Sequence, residues 1–92
     1  MLELFTAETF ASRLHERFAL VDGNAAHELE LTHVTESGRG RPEGRAPFSI
    51  VFRGPDAPTL PQRTYRLEHG ELGAFELFLV PIGPGQYEAV FT

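Results

Sequence analysis

The sequence predicts one mainly β (α+β) domain, in which a single N-terminal helix is followed by an antiparallel meander of about six strands forming a partly open barrel or a small sandwich. Three observations lead there. Apolar and polar residues alternate in several short runs, turn-forming clusters separate those runs at short intervals, and only the opening stretch carries a helical spacing. The 92 residues suit a single domain, 1–92, and 41% of them are apolar, eight Phe included, which is enough material for one core.

Thr6 is the expected N-cap of the helix, with Phe5 before it positioned to pack against Phe10 as a hydrophobic staple. Phe10, Leu14 and Phe18 recur at i, i+4 and i+8, an apolar face predicted to lie over the sheet. Ala19-Leu20-Val21 then reads as a short strand running into the turn Asp22-Gly23-Asn24. In the next strand His27, Leu29, Leu31 and His33 share one face, and Glu28, Glu30, Thr32 and Val34 the other. Ser37 to Pro47, with two Pro, three Gly and three Arg, is predicted to be an exposed loop. Phe48, Ile50 and Phe52 form the apolar face of a strand that Gly54-Pro55 ends, and Asp56 to Pro61 is a second loop.

Tyr65 to Glu68 and Phe75 to Pro81 flank a turn at His69-Gly70-Glu71-Leu72-Gly73. The second of these strands is apolar on both faces, Phe75, Leu77 and Leu79 on one and Phe78 and Val80 on the other. That pattern predicts a central strand, or one held between sheet and helix. Gly83-Pro84-Gly85 turns the chain into a terminal strand with Tyr87, Ala89 and Phe91 on one face.

Composition narrows the chemistry. The eight cations are all Arg, set against thirteen acids for a net charge of −5, so a dedicated polyanion-binding surface is not expected. Without Cys there are no disulfides, thiolate metal sites or Cys nucleophiles, and without Lys there is no Schiff-base chemistry. The start Met-Leu-Glu-Leu-Phe lacks the pattern of a signal peptide, and no apolar run has membrane-spanning length. A cytoplasmic protein with no membrane partner is the expectation.

Candidate catalytic groups do not converge in the sequence. His27 and His33 stand about 20 Å apart along one strand, and neither His15 nor His69 has a partner at zinc-site spacing, so no metal and no cofactor are expected. Ser12, Ser37 and Ser49 lack the frame of a nucleophile elbow. Glu68, Glu76 and Glu88 lie on strands whose pairing would let carboxylates approach, although a solvated face accounts for them more simply. The closest match to a short motif is Gly38-Arg39-Gly40-Arg41-Pro42, followed by Glu43-Gly44-Arg45. Arg-Gly-Arg-Pro is the core of the AT-hook, whose guanidinium groups enter the A·T minor groove. A single copy inside an acidic β domain makes nucleic acid the least expected partner.

The blocks Phe48-Ser49-Ile50-Val51-Phe52-Arg53-Gly54-Pro55, Tyr65-Arg66-Leu67-Glu68-His69, Leu72-Gly73, Phe75 to Gly83 and Tyr87-Glu88-Ala89-Val90-Phe91 together resemble a bacterial family known only as a domain of unknown function. The resemblance runs from Thr6 to the C-terminus. It implies no catalytic residue, and it associates the chain loosely with gene neighbourhoods of tail-collar or tail-fibre-like phage proteins. The expectation is therefore a non-catalytic protein–protein interaction or assembly module, with a protein partner or a second copy, acting through a sheet edge or an apolar patch. Its candidate interaction residues are Arg39, Arg41, Arg45, Arg53, His69 and Tyr87. The alternative is a small ligand-binding or enzymatic barrel with Glu68, His69 and Glu76 around a pocket between helix and sheet.

Overall fold

The computed structural model describes residues 5–36 and 46–92. One helix, α1 (Ala7–Ala11), precedes six strands: β1 (Arg17–Asp22), β2 (Ala25–Glu36), β3 (Phe48–Arg53), β4 (Arg63–His69), β5 (Gly73–Gly83) and β6 (Gln86–Phe91). The strands close into a barrel in the order β1-β2-β3-β6-β5-β4, every neighbouring pair antiparallel. Closure removes the free outer edges that an open sheet would present.

The barrel is two three-stranded meanders joined across one end. Segment 54–62 leaves β3 and crosses to β4, which lies beside β1 rather than beside β3. Two tyrosines hold this crossing. The Tyr87 hydroxyl accepts from the Leu60 N–H at 2.9 Å, and the Tyr65 hydroxyl donates to the Pro61 carbonyl at 2.6 Å. At the same end the Gly54 N–H donates to the Gly85 carbonyl at 2.8 Å. Gly85 has φ +68, and a Cβ there would fall 2.8 Å from the Gly54 carbonyl oxygen, so only glycine fits this turn.

The other end is plugged by α1 and an aromatic cluster. Thr6 and Thr9 form a capping box, and Phe5 meets Phe10 edge-on at 5.4 Å, which is the staple the sequence predicts. Phe10 then reaches Phe18, Phe48, Phe75 and Phe91 at centroid distances between 5.6 and 6.4 Å. Leu20, Leu29, Leu31, Ile50, Leu67 and Leu79 fill the middle of the barrel. Among the described residues the core contains no buried polar side chain.

Three local expectations are corrected. The helix ends at Ala11, because at His15 (φ 72) the chain turns to pair with β2: the His15 N–H donates to the Leu31 carbonyl at 2.7 Å and the Leu31 N–H to the Glu16 carbonyl at 3.1 Å. Phe18 therefore belongs to β1, and Leu14 is left 40% exposed. In β2 the register shifts between Leu31 and His33, and the bulge at Thr32 reverses the alternation beyond it. Val34 now packs against the core while His33 faces solvent. β5 is a central strand between β4 and β6, but it is not held between sheet and helix: its second apolar face is uncovered, so Phe78 lies on the outer wall.

Candidate functional site

Of the residues singled out in the sequence, Arg39, Arg41 and Arg45 lie outside the described residues, and the Arg-Gly-Arg-Pro segment with them. Arg53 ends β3 on the outer wall, opposite Glu30 of β2 and Gln86 of β6. Tyr87 is 1% exposed and serves to hold the crossing segment. It occupies an inward-facing position of β6.

His69 is likewise a structural residue. Its side chain is 6% exposed and its ring lies 4.5 Å from that of Phe18. The N–H groups of Glu71 and Leu72 both donate to Nδ1, at 3.1 and 3.2 Å, which fixes the ring proton on Nε2. Nε2 in turn donates to the Glu16 carboxylate at 2.7 Å. Glu16, His69 and Glu71 thus bring their ligand-type atoms within 4.8 Å of one another, a cluster that sequence spacing did not reveal because 53 positions separate Glu16 from His69. Both imidazole nitrogens are already committed. A metal ion would have to displace a bond at one of them, so the arrangement fits a hydrogen-bonded turn better than a cation cage.

The glutamates of the alternative reading do not converge on a pocket. Arg66 lies directly opposite Glu76 and donates from Nε to Glu68 at 3.0 Å, whereas Glu88 sits further along, opposite Val80. All three face outward, while the space inside the barrel is occupied by the Phe and Leu core. A shallow groove of about 540 Å³ crosses the outer wall over Ala19, bordered by Arg17, His27, Glu28 and Glu68. Its charges are partly spent on each other, Arg17 pairing with Glu28. On the same wall Arg63, hydrogen-bonded by Tyr65 and beside Asp22, is held above its ordinary pKa, so it is a permanent cation.

The remaining surface feature is apolar. Phe78 is 49% exposed and Ile82 49% on β5, and Val90 is 66% exposed on the adjoining β6. Ile82 is the extra residue where the β5–β6 register shifts between Pro81 and Gly83. Beside Phe78 and Val90 lies a cleft of about 410 Å³, bordered also by Leu77, Val80, Glu88, Phe91 and Thr92. Sequence alternation placed Phe78 on a second apolar face, read as that of a central strand or of one held between sheet and helix.

Fold and surface together define a small closed β barrel with a filled interior and an apolar strip on its outer wall. The chain belongs to the family described as Domain of unknown function (DUF6916), which it matches over residues 5–91. No curated protein and no solved structure shows significant similarity to it.

Proposed function

We propose that this domain is a non-catalytic protein–protein interaction or assembly module. The observation that carries the reading is the outer apolar strip of Phe78, Ile82 and Val90, three large side chains on neighbouring strands that a lone monomer gains nothing by exposing. The filled barrel supports it as well, since Phe and Leu side chains occupy the core and no charged side chain is buried there among the described residues. Arg53, at the exposed end of β3, stays among the candidate contact residues. The finer reading, an accessory to a phage-tail-like or tail-fibre system, draws only on the family resemblance.

The test is light scattering coupled to size exclusion, together with crosslinking in the native host, on the wild type and a Phe78→Ser/Ile82→Ser/Val90→Ser variant. The expected result is a defined oligomer or a reproducible crosslinked protein that the variant loses while remaining folded. A monomer in both cases, with no crosslinked partner, overturns the reading.

A further inference from the structure

The β5–β6 junction shares a short ladder with β1–β4 but is flanked by exposed apolar side chains. Its ladder comprises only Val80↔Glu88, Pro81↔Tyr87 and Gly83↔Gln86. Toward the helix-plugged end both strands continue, β5 held by β4 and β6 held by β3, without pairing to each other. Among the described residues, no strand is paired with the β6-facing side of β5 from Glu76 to Leu79. The cleft described above lies along this edge.

We propose that this cleft accepts a short extended segment of a partner protein, which adds to β5 as a strand and alternates apolar residues with Arg or Lys. The inference rests on the interaction-module reading and specifies the mode and chemistry of the contact. Unpaired backbone N–H and C=O groups of a strand are best satisfied by another extended backbone. Four edge residues correspond to a segment of roughly 13 Å at the usual strand rise. Added residues that point inward meet Leu77 and the rim of the core, so they must be apolar.

Residues that point outward lie by Phe78 and Val90 and close to Glu88, and Glu76 follows on the same face of β5. Neither glutamate has an ion pair within the described residues, because Arg66 opposite Glu76 is directed to Glu68. A chain of net charge −5 adds to the preference for a basic segment.

A second copy is the weaker occupant for two reasons. It would bring its own Glu76 and Glu88 to the same edge, like charge against like, and its β5 already carries β4 along the opposite side.

The experiment is selection of displayed random twelve-residue peptides on the purified protein, followed by fluorescence polarisation with the enriched sequences and amide hydrogen exchange of the complex. Enriched peptides are expected to alternate apolar residues with Arg or Lys and to slow exchange between Glu76 and Leu79. Their affinity should fall at least ten-fold for Glu76→Lys/Glu88→Lys, and also when alternate peptide nitrogens are methylated. Peptides without basic residues, affinity unchanged by the charge reversal, or protection confined to other strands would each overturn the inference. If peptide binding is lost in the Phe78→Ser/Ile82→Ser/Val90→Ser variant yet survives charge reversal and methylation, the strand inference fails while the interaction module stands. Absence of any enriched peptide overturns the strand inference, and the crosslinking result then decides the broader reading separately.

Discussion

The β1–β4 junction between the two meanders and the β5–β6 hairpin within the second each rest on three register pairs, yet they are finished differently. The β1–β4 junction is fastened beyond both ends of its ladder. At one end the His69 ring covers Phe18 and donates to Glu16, and at the other Arg63 reaches Asp22 at 3.2 Å. The β5–β6 junction has a tight turn at one end, while its other end is bordered by Leu77, Phe78, Val90 and Phe91. Equal ladders thus lead to one wall tied by polar pairs beneath a shallow groove and one flanked by apolar side chains beside a cleft. The difference lies in the side chains flanking the ladders, polar pairs in the first case and exposed apolar groups in the second.

The largest effect should come from removing the plug that both junctions share. Phe10→Ala deletes the ring that touches five others, and a cost of about 3–5 kcal/mol, measured by urea unfolding, is expected for a buried Phe. A loss near zero would mean that α1 merely rests on the barrel. His69→Ala should unfasten the β1–β4 junction alone, by about 2 kcal/mol, from one lost carboxylate bond and two orphaned backbone donors. Amide exchange should then accelerate at Arg66 to Glu68 and leave Val80 to Gly83 unchanged; equal acceleration at both junctions would break the comparison.

Gly85→Ala examines the closed end of the β5–β6 junction. With φ +68 and a Cβ 2.8 Å from the Gly54 carbonyl oxygen, it should destabilise by about 1–2 kcal/mol. The comparison can also be sharpened by fastening the open cleft. Continued in register, the β5–β6 ladder would set Phe78 opposite Val90, so Phe78→Glu/Val90→Arg places an ion pair where none exists. Stability should change by no more than about 0.5 kcal/mol, while exchange at Leu77 to Leu79 slows and affinity for strand-forming peptides drops. The smallest effect belongs to the exposed fastener: Asp22→Asn should cost only a few tenths of a kcal/mol, about the worth of a surface pair, and the loss should shrink further in high salt.

Particular residues show how far the sequence could be read. Phe48, Ile50 and Phe52 alternate without interruption, and β3 forms where they predict it. Thr6 and Phe5 announce the helix start because caps and staples are local events. The helix end was not legible. Phe18 keeps helical spacing with Phe10, yet a backbone bond from His15 to Leu31 draws the chain into a strand, and a helix of five residues has too little cooperativity to resist. The bulge at Thr32 escaped for a similar reason, since a register shift is a property of two strands together. In the candidate surface, Tyr87 and His69 combine apolar body with polar tip, and composition alone does not say that both tips would be consumed by backbone groups. Phe78 is the converse case, an apolar residue at a position that happens to face water.

What the sequence determined by itself is therefore the strand inventory, the turns, the helix start and the exclusion of thiol and lysine chemistry. Alternation, capping and composition act over a few neighbouring residues and need no partner element. Which strands become neighbours, whether the sheet closes, where His69 finds Glu16 and why β5 parts from β6 were decided only in three dimensions. Those outcomes depend on contacts between residues distant in the chain, whose free energies are settled jointly by closure, side-chain packing and the demand that each buried backbone group find a partner.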